Sequence, residues 1–301
     1  MQIQDAINEY LVAARQEGKS AKTIEQYGWH LERMKEWLAT EGVNELEGVD
    51  RSTLRRWGAG LTEKWSASTI RQAVYAARAL FGWCREEGWI ADDPSLALRA
   101  PHAKKRIQRT LSPDEIQAIL DACDNSASGR RNAALVSLLV DAGLRASEIC
   151  RLRIADLDIG EGLLVVKVKG GDERFGFFGR TTGDRLQTWL DVRPNARHPE
   201  VFLSVGGLKP GSPLTVPGLR SILRKLGERA GVARVSTHAF RRSFACVSTK
   251  AGAPGRIVQL AGRWSNIQMV EDYTRAMREI EAGLEYRERY SSADWIEKNR
   301  S

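Results

Sequence analysis

A short basic segment divides the chain into two parts that have to fold separately. Residues 100–106 read Ala-Pro-His-Ala-Lys-Lys-Arg, too few apolar side chains to pack into a core, and regular patterns lie on both sides. Structure is predicted to restart at Ser112, where a capping serine, Pro113 and Glu115 form a helix-start signature. The chain has 301 residues and is 42% apolar, enough for two cores. We therefore expect a first domain over 1–99, a linker over 100–110, a second domain over 111–282 and a tail over 283–301.

The first part has the pattern of a helical bundle. Apolar residues recur at helical spacing in two stripes, Ile7-Tyr10-Leu11-Ala14 and Ile24-Tyr27-Leu31-Met34-Trp37. The second stripe is predicted to begin at Ser20 and to end near Gly42. A short helix is expected around 52–57 and a longer one over 66–87. Six of the nine tryptophans fall in this part, and packing between helices is the interpretation we favour for most of them.

The second part is predicted to be helical around one small sheet. Helices are expected over 116–123 and 131–142, with Gly143 ending the latter, and over 237–247. Residues 163–168 and the basic segment after them have the pattern of a β-hairpin. The predicted fold class is therefore mainly α with a small antiparallel β-sheet.

Charge and composition narrow the class of partner. The formal net charge of +8 fits a polyanion, and exposed cations of the first part could contact a DNA backbone. The basic linker is either simply solvated or follows phosphates, and the sequence leaves both readings open. The chain lacks a membrane-length apolar run and a signal-peptide pattern, so we expect a cytoplasmic protein that does not enter a membrane. The four scattered cysteines, without a CxxC pair, indicate neither a zinc site nor a disulfide framework.

The residues that carry chemistry concentrate between Ser236 and Tyr273. His238 and Arg241 lie one helical turn apart and could reach one anion, for which the planar arginine fork is well suited. Trp264 offers a single N–H donor. The hydroxyl of Tyr273, with an ordinary pKa of about 10, needs nearby cations or a base to become a nucleophile. Taken singly, these residues are more often core, packing or surface residues; together they indicate phosphoryl transfer to the protein.

A second arginine follows the predicted end of a buried helix. Gly143 is succeeded by Leu144-Arg145-Ala146-Ser147-Glu148-Ile149. An arginine at this position requires an anion. Glu148, one turn further on, either holds Arg145 in place or shares its site.

These motifs together resemble those of one family. The segment GLRASEIC resembles the first arginine box of the tyrosine recombinases, also called the phage integrase family, and His238-Ala239-Phe240-Arg241 resembles the second. Trp264 and Tyr273 occupy the positions of the third box and the nucleophile, in the manner of Cre-like more than Xer-like members. Lys169 matches the catalytic lysine of the family's hairpin turn. Arg242, Arg263 and Asp172 depart from the common pattern.

The resemblance implies a SAM-like core-binding domain followed by a catalytic domain, and a reaction at a DNA phosphodiester. It implies that Arg145 and Arg241 bind the non-bridging oxygens, that His238 and Trp264 add hydrogen bonds and that Tyr273 is the nucleophile. Glu148 would belong to the same site and Lys169 would protonate the leaving 5′ oxygen. Lys104, Lys105, Arg106 and Arg242 would contact DNA, and neither a metal nor another cofactor is expected.

The biological role stays open between several readings. A site-specific recombinase or integrase of a phage, plasmid or other mobile element, acting as a homotetramer on two double-stranded DNA sites, is favoured. The alternatives are dimer resolution in the Xer manner, a non-catalytic DNA-binding regulator on the same fold, and a type IB topoisomerase. The tail, predicted as a short amphipathic helix, either packs on its own domain or, as in members of the family, docks on a neighbouring subunit.

Overall fold

The computed structural model describes residues 1–101, 108–168, 171–195, 197–206 and 209–300. Contacts divide the chain into two compact units, Met1–Arg106 and Ile107–Ser301. No helix among the described residues has the length and apolar character needed to cross a bilayer.

The first unit is a bundle of four α-helices around one apolar core. Its helices are α1 Ile3–Gln16, α2 Ala21–Thr40, α3 Arg51–Lys64 and α4 Ala67–Glu86, with short 3₁₀ helices at Leu46–Gly48 and Pro94–Ala97. Ser20 and Ser66 cap α2 and α4 by accepting a backbone N–H, which fixes the starts that the sequence predicts. Helix α3 is longer than predicted. Its apolar stripe continues from Trp57 to the buried Leu61, and this packing overrides the low helix propensity of the glycines between them.

Within the described residues, the second unit contains nine helices and one small sheet. The helices are α5 Pro113–Asp121, α6 Ala127–Ala142, α7 Ala146–Arg151, α8 Arg180–Leu190, α9 Val216–Arg229, α10 Thr237–Lys250, α11 Gly255–Ala261, α12 Gln268–Arg289 and α13 Ser292–Lys298, with a 3₁₀ turn at Ile154–Asp156. Helix α6 is mostly buried and packs against α8 and α10. It ends at Gly143, whose φ of +56° lies in the left-handed region that glycine adopts most easily.

The sheet contains three antiparallel strands in the order β1–β2–β3. They are β1 Leu157–Asp158, β2 Leu163–Lys167 and β3 Glu173–Phe177, with Val165 opposite Phe175. The predicted hairpin is therefore present, and β1, too short to be recognised from a pattern of alternation, extends it. The predicted class, mainly α with a small antiparallel sheet, is confirmed.

The end of the chain is helical without a break at residue 282. Helix α12 contains Tyr273 and continues to Arg289, so the predicted tail helix is the second half of a 22-residue helix. Beyond Val270 and Thr274, which are buried, the helix becomes solvent-exposed. Ile280 is 64% exposed, and Trp295 in α13 is 67% exposed.

Candidate active site

Arg145 and Glu148 form an ion pair at the start of α7. The backbone N–H of Arg145 donates to Oε2 of Glu148 (2.9 Å), and Nη1 of Arg145 donates to Oε1 (2.6 Å). The Glu148 side chain is 3% exposed, whereas that of Arg145 is 43% exposed. One carboxylate thus fixes both the backbone and the guanidinium of Arg145. The arginine keeps an open face on which it can receive a second anion.

Arg241 is the buried cation of the cluster. It lies on α10, is 2% exposed, and donates through Nη1 to the carbonyl of Gly143 and through Nη2 to that of Gly262 (2.6 Å). Burial, together with the positive charge of Arg145, lowers the pKa of Arg241 to about 10. The guanidinium therefore still carries its charge at neutral pH.

Trp264 lies between Arg241 and the predicted nucleophile. The guanidinium carbon of Arg241 is 4.6 Å from the centroid of the Trp264 ring. That ring makes an edge contact with Tyr273, with 5.5 Å between centroids and 68° between planes. Trp264 is 6% exposed, and its Nε1 is buried without a hydrogen-bond partner in the described part of the chain. A buried N–H without an acceptor costs about 1–3 kcal/mol, so this donor favours an incoming acceptor such as a phosphate oxygen.

His238 and Tyr273 complete the cluster and are more solvent-exposed than Arg241 and Trp264. Desolvation and the positive charges of Arg242, Arg241 and Arg145 lower the pKa of His238 below its usual value of 6.5. The imidazole is therefore neutral at pH 7 and has one N–H to donate. Tyr273, half-buried, is close enough to act electrostatically on the guanidinium groups of Arg241 and Arg242.

Arg242, a predicted DNA contact, makes its hydrogen bonds outside this cluster. Arg242 uses Nε to bind the carbonyl of Arg109 (2.7 Å) and Nη1 to bind Oε1 of Gln108 (2.8 Å), so it holds the start of its own unit. Its predicted contact with DNA would have to share these donors. Lys104, Lys105, Arg106 and Lys169 lie outside the described residues. Among the described residues, no group of three or more His, Cys, Asp or Glu side chains is placed to bind a metal.

Arg263 is a member of the cluster that sequence reasoning missed. Its side chain is 3% exposed, with Nη2 3.7 Å from Oε2 of Glu148. In the sequence it stands out only as a departure from a family pattern. Its neighbours Gly262 and Trp264 are both buried in the structure, but no signal in the sequence marks Arg263 as buried with them.

The sequence matches models of two domains of one family. The Phage integrase family model matches residues 109–279, more than half of the chain. The chain belongs to the phage integrase family. A second model, the N-terminal SAM-like domain of phage integrases, matches residues 7–88 of this integrase-family chain. The four residues Arg145, Arg241, Trp264 and Tyr273 all lie inside the first match.

The curated relatives of this phage integrase family member are tyrosine recombinases, and so is this chain. It is 30% identical over 274 residues to tyrosine recombinase XerC of Bacillus pumilus, a match that covers 86% of this chain and 88% of the relative. It is 28% identical over 257 residues to XerC of Xanthomonas campestris pv. campestris, covering 85% and 79%.

Solved structures share the fold of this tyrosine recombinase. XerH site-specific recombinase bound to palindromic difH substrate, a post-cleavage complex, gives a TM-score of 0.74 at 21% identity, covering 88% of this chain and 80% of that chain. A lambda integrase (75–356) dimer bound to a COC′ core site gives 0.73 at 17% identity, covering 89% and 97%. Similarity at these identities establishes the fold, with the SAM-like domain preceding the catalytic domain.

Proposed function

We propose that this tyrosine recombinase cleaves and rejoins DNA at specific sites through a 3′-phosphotyrosyl intermediate on Tyr273. The observation that carries the proposal is the contact series from Arg241 to the Trp264 ring and on to Tyr273, with the unpaired Nε1 of Trp264 inside it. A buried cation, an unsatisfied N–H donor and a phenol are gathered within one cluster. These are the groups required around a phosphorus atom under attack by a tyrosine oxygen.

The cluster suits the charge that develops during the reaction. The Tyr273 hydroxyl gives up its proton to water as its oxygen forms a bond to phosphorus. The bond from phosphorus to the 5′ oxygen breaks, and negative charge grows on the non-bridging oxygens. Arg145, with its open face, and Arg241 supply fixed positive charge to these oxygens, so they stabilise the transition state more than the ground state. Neutral His238 and the N–H of Trp264 add hydrogen bonds.

Proton transfer to the leaving oxygen is assigned to Lys169. The lysine would give its proton to the 5′ oxygen as that oxygen departs, and would recover one when the 5′ hydroxyl attacks the phosphotyrosine to rejoin the strand. The bond energy stays in the tyrosyl ester, so rejoining requires no nucleotide cofactor. This assignment rests on the position of Lys169 after β2 in the sequence.

Double-stranded DNA is the proposed substrate. The net charge of +8 favours a polyanion, and the XerH and lambda integrase structures of the same fold are complexes with DNA sites. In our proposal, the core-binding domain over 1–99 and the catalytic domain over 111–282 hold the duplex, with the basic linker over 100–110 following its phosphates. Four subunits would pair two sites, because strand exchange between two duplexes needs four cleavages.

A covalent-trapping experiment tests the reaction. The protein is incubated with nicked suicide substrates made from DNA flanking its gene, and the adduct is resolved on a denaturing gel. Wild-type protein should form an adduct, and Tyr273→Phe should not, while both bind the DNA. Tyr286→Phe is the matched control, because Tyr286 lies on the same helix and is 53% exposed. An adduct that persists in Tyr273→Phe refutes the assignment.

The biological role is proposed at two levels. Integration or excision of a mobile element is the role that the Trp264 type of third box favours, and resolution of chromosome or plasmid dimers is the second candidate, favoured by the similarity to XerC proteins. Deleting the gene separates them. Accumulated dimers indicate resolution, and loss of a circularised element indicates excision. A non-catalytic regulator would instead show salt-sensitive binding without any covalent product.

A further inference from the structure

Arg263 has a backbone conformation that favours glycine. It follows Gly262, the residue directly after α11, and its φ of +54° lies in the left-handed region. A Cβ atom makes this conformation less favourable, which is why glycine is common just after a helix. The backbone conformation therefore disfavours a side chain at position 263. Any stabilisation by the arginine has to come from the contacts of its side chain.

The Arg263 guanidinium joins the C-terminal ends of two helices. Nη2 donates to the carbonyl of Ala142, the last residue of α6, and Nη1 donates to that of Ala261, the last residue of α11, both at 2.8 Å. The last carbonyls of a helix lack partners within the helix and carry the negative end of its dipole. A guanidinium between them satisfies both.

Arg241 makes a second bridge between the same two helix ends, one residue later in each. It donates to the carbonyls of Gly143 and Gly262, the residues directly after those two helices. Two arginines from different elements thus join α6 to α11. Arg145 lies two residues beyond Gly143, and Trp264 lies two residues beyond Gly262. The two bridges therefore set the distance between the loop that contains Arg145 and the loop that contains Trp264.

Glu148 connects Arg263 directly to Arg145. Its Oε1 accepts from Arg145, and its Oε2 lies 3.7 Å from Nη2 of Arg263. The side chains of Glu148 and Arg263 are both 3% exposed. A carboxylate buried to this degree needs compensating positive charge. Half-exposed Arg145 supplies part of that charge, and buried Arg263 supplies the rest.

We propose that Arg263 is a positioning residue, which holds the Arg145 loop and the Trp264 loop at the separation needed to bind one phosphate. It does so by bridging the ends of α6 and α11 and by fixing the Glu148 carboxylate that binds Arg145. The inference rests on the proposed cleavage reaction. In this inference Arg263 acts on the phosphate through the two loops and through Glu148, and its Nη atoms bond to the carbonyls of Ala142 and Ala261.

The first test separates cleavage from binding. Arg263→Met is compared with Arg256→Met, which removes the same charge from the exposed face of α11, the helix that precedes Arg263. Within the described residues, Arg256 bonds only to Gln259. Single-turnover cleavage of a suicide substrate at saturating protein should fall about 100-fold in Arg263→Met, the size expected for a displacement of about 1 Å in the site. The dissociation constant for uncleaved DNA should stay within about threefold of the Arg256→Met value.

Arg263→Lys covers the case in which Arg263→Met does not fold. The ammonium keeps the charge beside Glu148 but cannot reach both helix ends in the fixed geometry of a guanidinium. It should cleave faster than Arg263→Met and more slowly than wild type. Cleavage by Arg263→Met or Arg263→Lys at the Arg256→Met rate refutes the inference, as does a loss of DNA affinity as large as the loss of rate.

A double-mutant cycle tests the route through Glu148. Arg263→Met combined with Glu148→Gln should lower the cleavage rate by much less than the product of the two single effects, because each change disrupts the same contact. Multiplied effects refute this route. The comparison of wild type with Arg263→Met also separates the two proposals. A wild-type protein that forms no adduct overturns the proposed function and the inference with it, whereas normal cleavage by wild type and Arg263→Met overturns the inference alone.

Discussion

Adding one methyl group at Gly262 should displace Trp264 and stop cleavage. A Cβ at this position would lie 2.1 Å from Cζ3, 2.4 Å from Cε3 and 2.6 Å from Cη2 of the Trp264 ring. Ordinary contact begins at 3.4 Å, so the shortest of these distances is too short by 1.3 Å (3.4 − 2.1). The φ of Gly262 is −77°, so alanine meets no backbone penalty there and the steric effect on the ring is isolated.

The expected magnitude follows from this overlap. Overpacking of a filled site costs about 1–3 kcal/mol, so the melting temperature of Gly262→Ala should fall by roughly 2–4 °C for each kcal/mol in a unit of this size. The ring must move by more than 1 Å relative to Arg241 and Tyr273, and a displacement of that size costs about 100-fold in rate. Stability should therefore change modestly and cleavage strongly.

The assay is single-turnover adduct formation by five proteins: wild type, Gly262→Ala, Gly255→Ala, Trp264→His and the double variant of Gly262→Ala with Trp264→His. Gly255→Ala, at the start of the helix that Gly262 follows, is the matched control, because its Cβ would meet only Ile267 at 3.6 Å. Trp264→His supplies the background for rescue, since imidazole lacks all three atoms that the new methyl group would meet. Gly262→Ala should cost about 100-fold in the wild-type protein and much less when combined with Trp264→His. An equal loss in both backgrounds would show that the Trp264 ring is not what the methyl group disturbs.

Three further predictions concern the ion pair, the histidine and the tail. Glu148→Gln should lower the free energy of unfolding by on the order of 3 kcal/mol, because it removes the charge between Arg145 and Arg263; an unchanged urea midpoint contradicts this. The lowered pKa of His238 means that the unfolded state binds more protons than the folded state below pH 6.5, so stability should fall as the pH drops from 7 to 5. His238→Gln should reduce this fall, and an equal dependence of the free energy of unfolding on pH in both proteins contradicts the prediction. Removing residues beyond 282 should impair cooperative binding to DNA in a band-shift titration, and unchanged cooperativity would mean that the tail does not join subunits.

Local sequence patterns predicted the helices well, because periodicity and capping are properties of neighbouring residues. The starts of α2 and α4 follow from single serines, and the end of α6 follows from Gly143. Helix α3 was predicted too short because the packing of Leu61 is a tertiary effect, invisible in a window that also contains two glycines. The membership of Tyr273 in the same helix as the tail was missed for a similar reason, since no local feature marks its continuity.

Only those residues of the candidate site that belong to recognisable sequence motifs could be predicted. Arg145, Arg241, Trp264 and Tyr273 were found by their resemblance to family boxes, and the structure brings them to one place. Arg263 could not be found in this way. Its partner carbonyl at Ala142 is 121 residues away in the sequence, and the bond depends on two helix ends meeting. Its neighbours in sequence give no sign that its side chain turns inward.

The meeting of two helix C-termini explains how so many cations can be held together before any anion arrives. Arg145, Arg241 and Arg263 carry three positive charges against the single negative charge of Glu148, and mutual repulsion alone would separate them. The carbonyls of the last residue of α6 and of α11, and of the glycine that follows each helix, accept hydrogen bonds from the two buried guanidinium groups. The negative ends of both helix dipoles lie beside them. The protein thereby stabilises the cluster without neutralising it, and the remaining positive charge is available to one phosphate. Because the donors are already in place, little reorganisation is needed when charge develops on the phosphate oxygens, which is the condition under which fixed charges accelerate a reaction most.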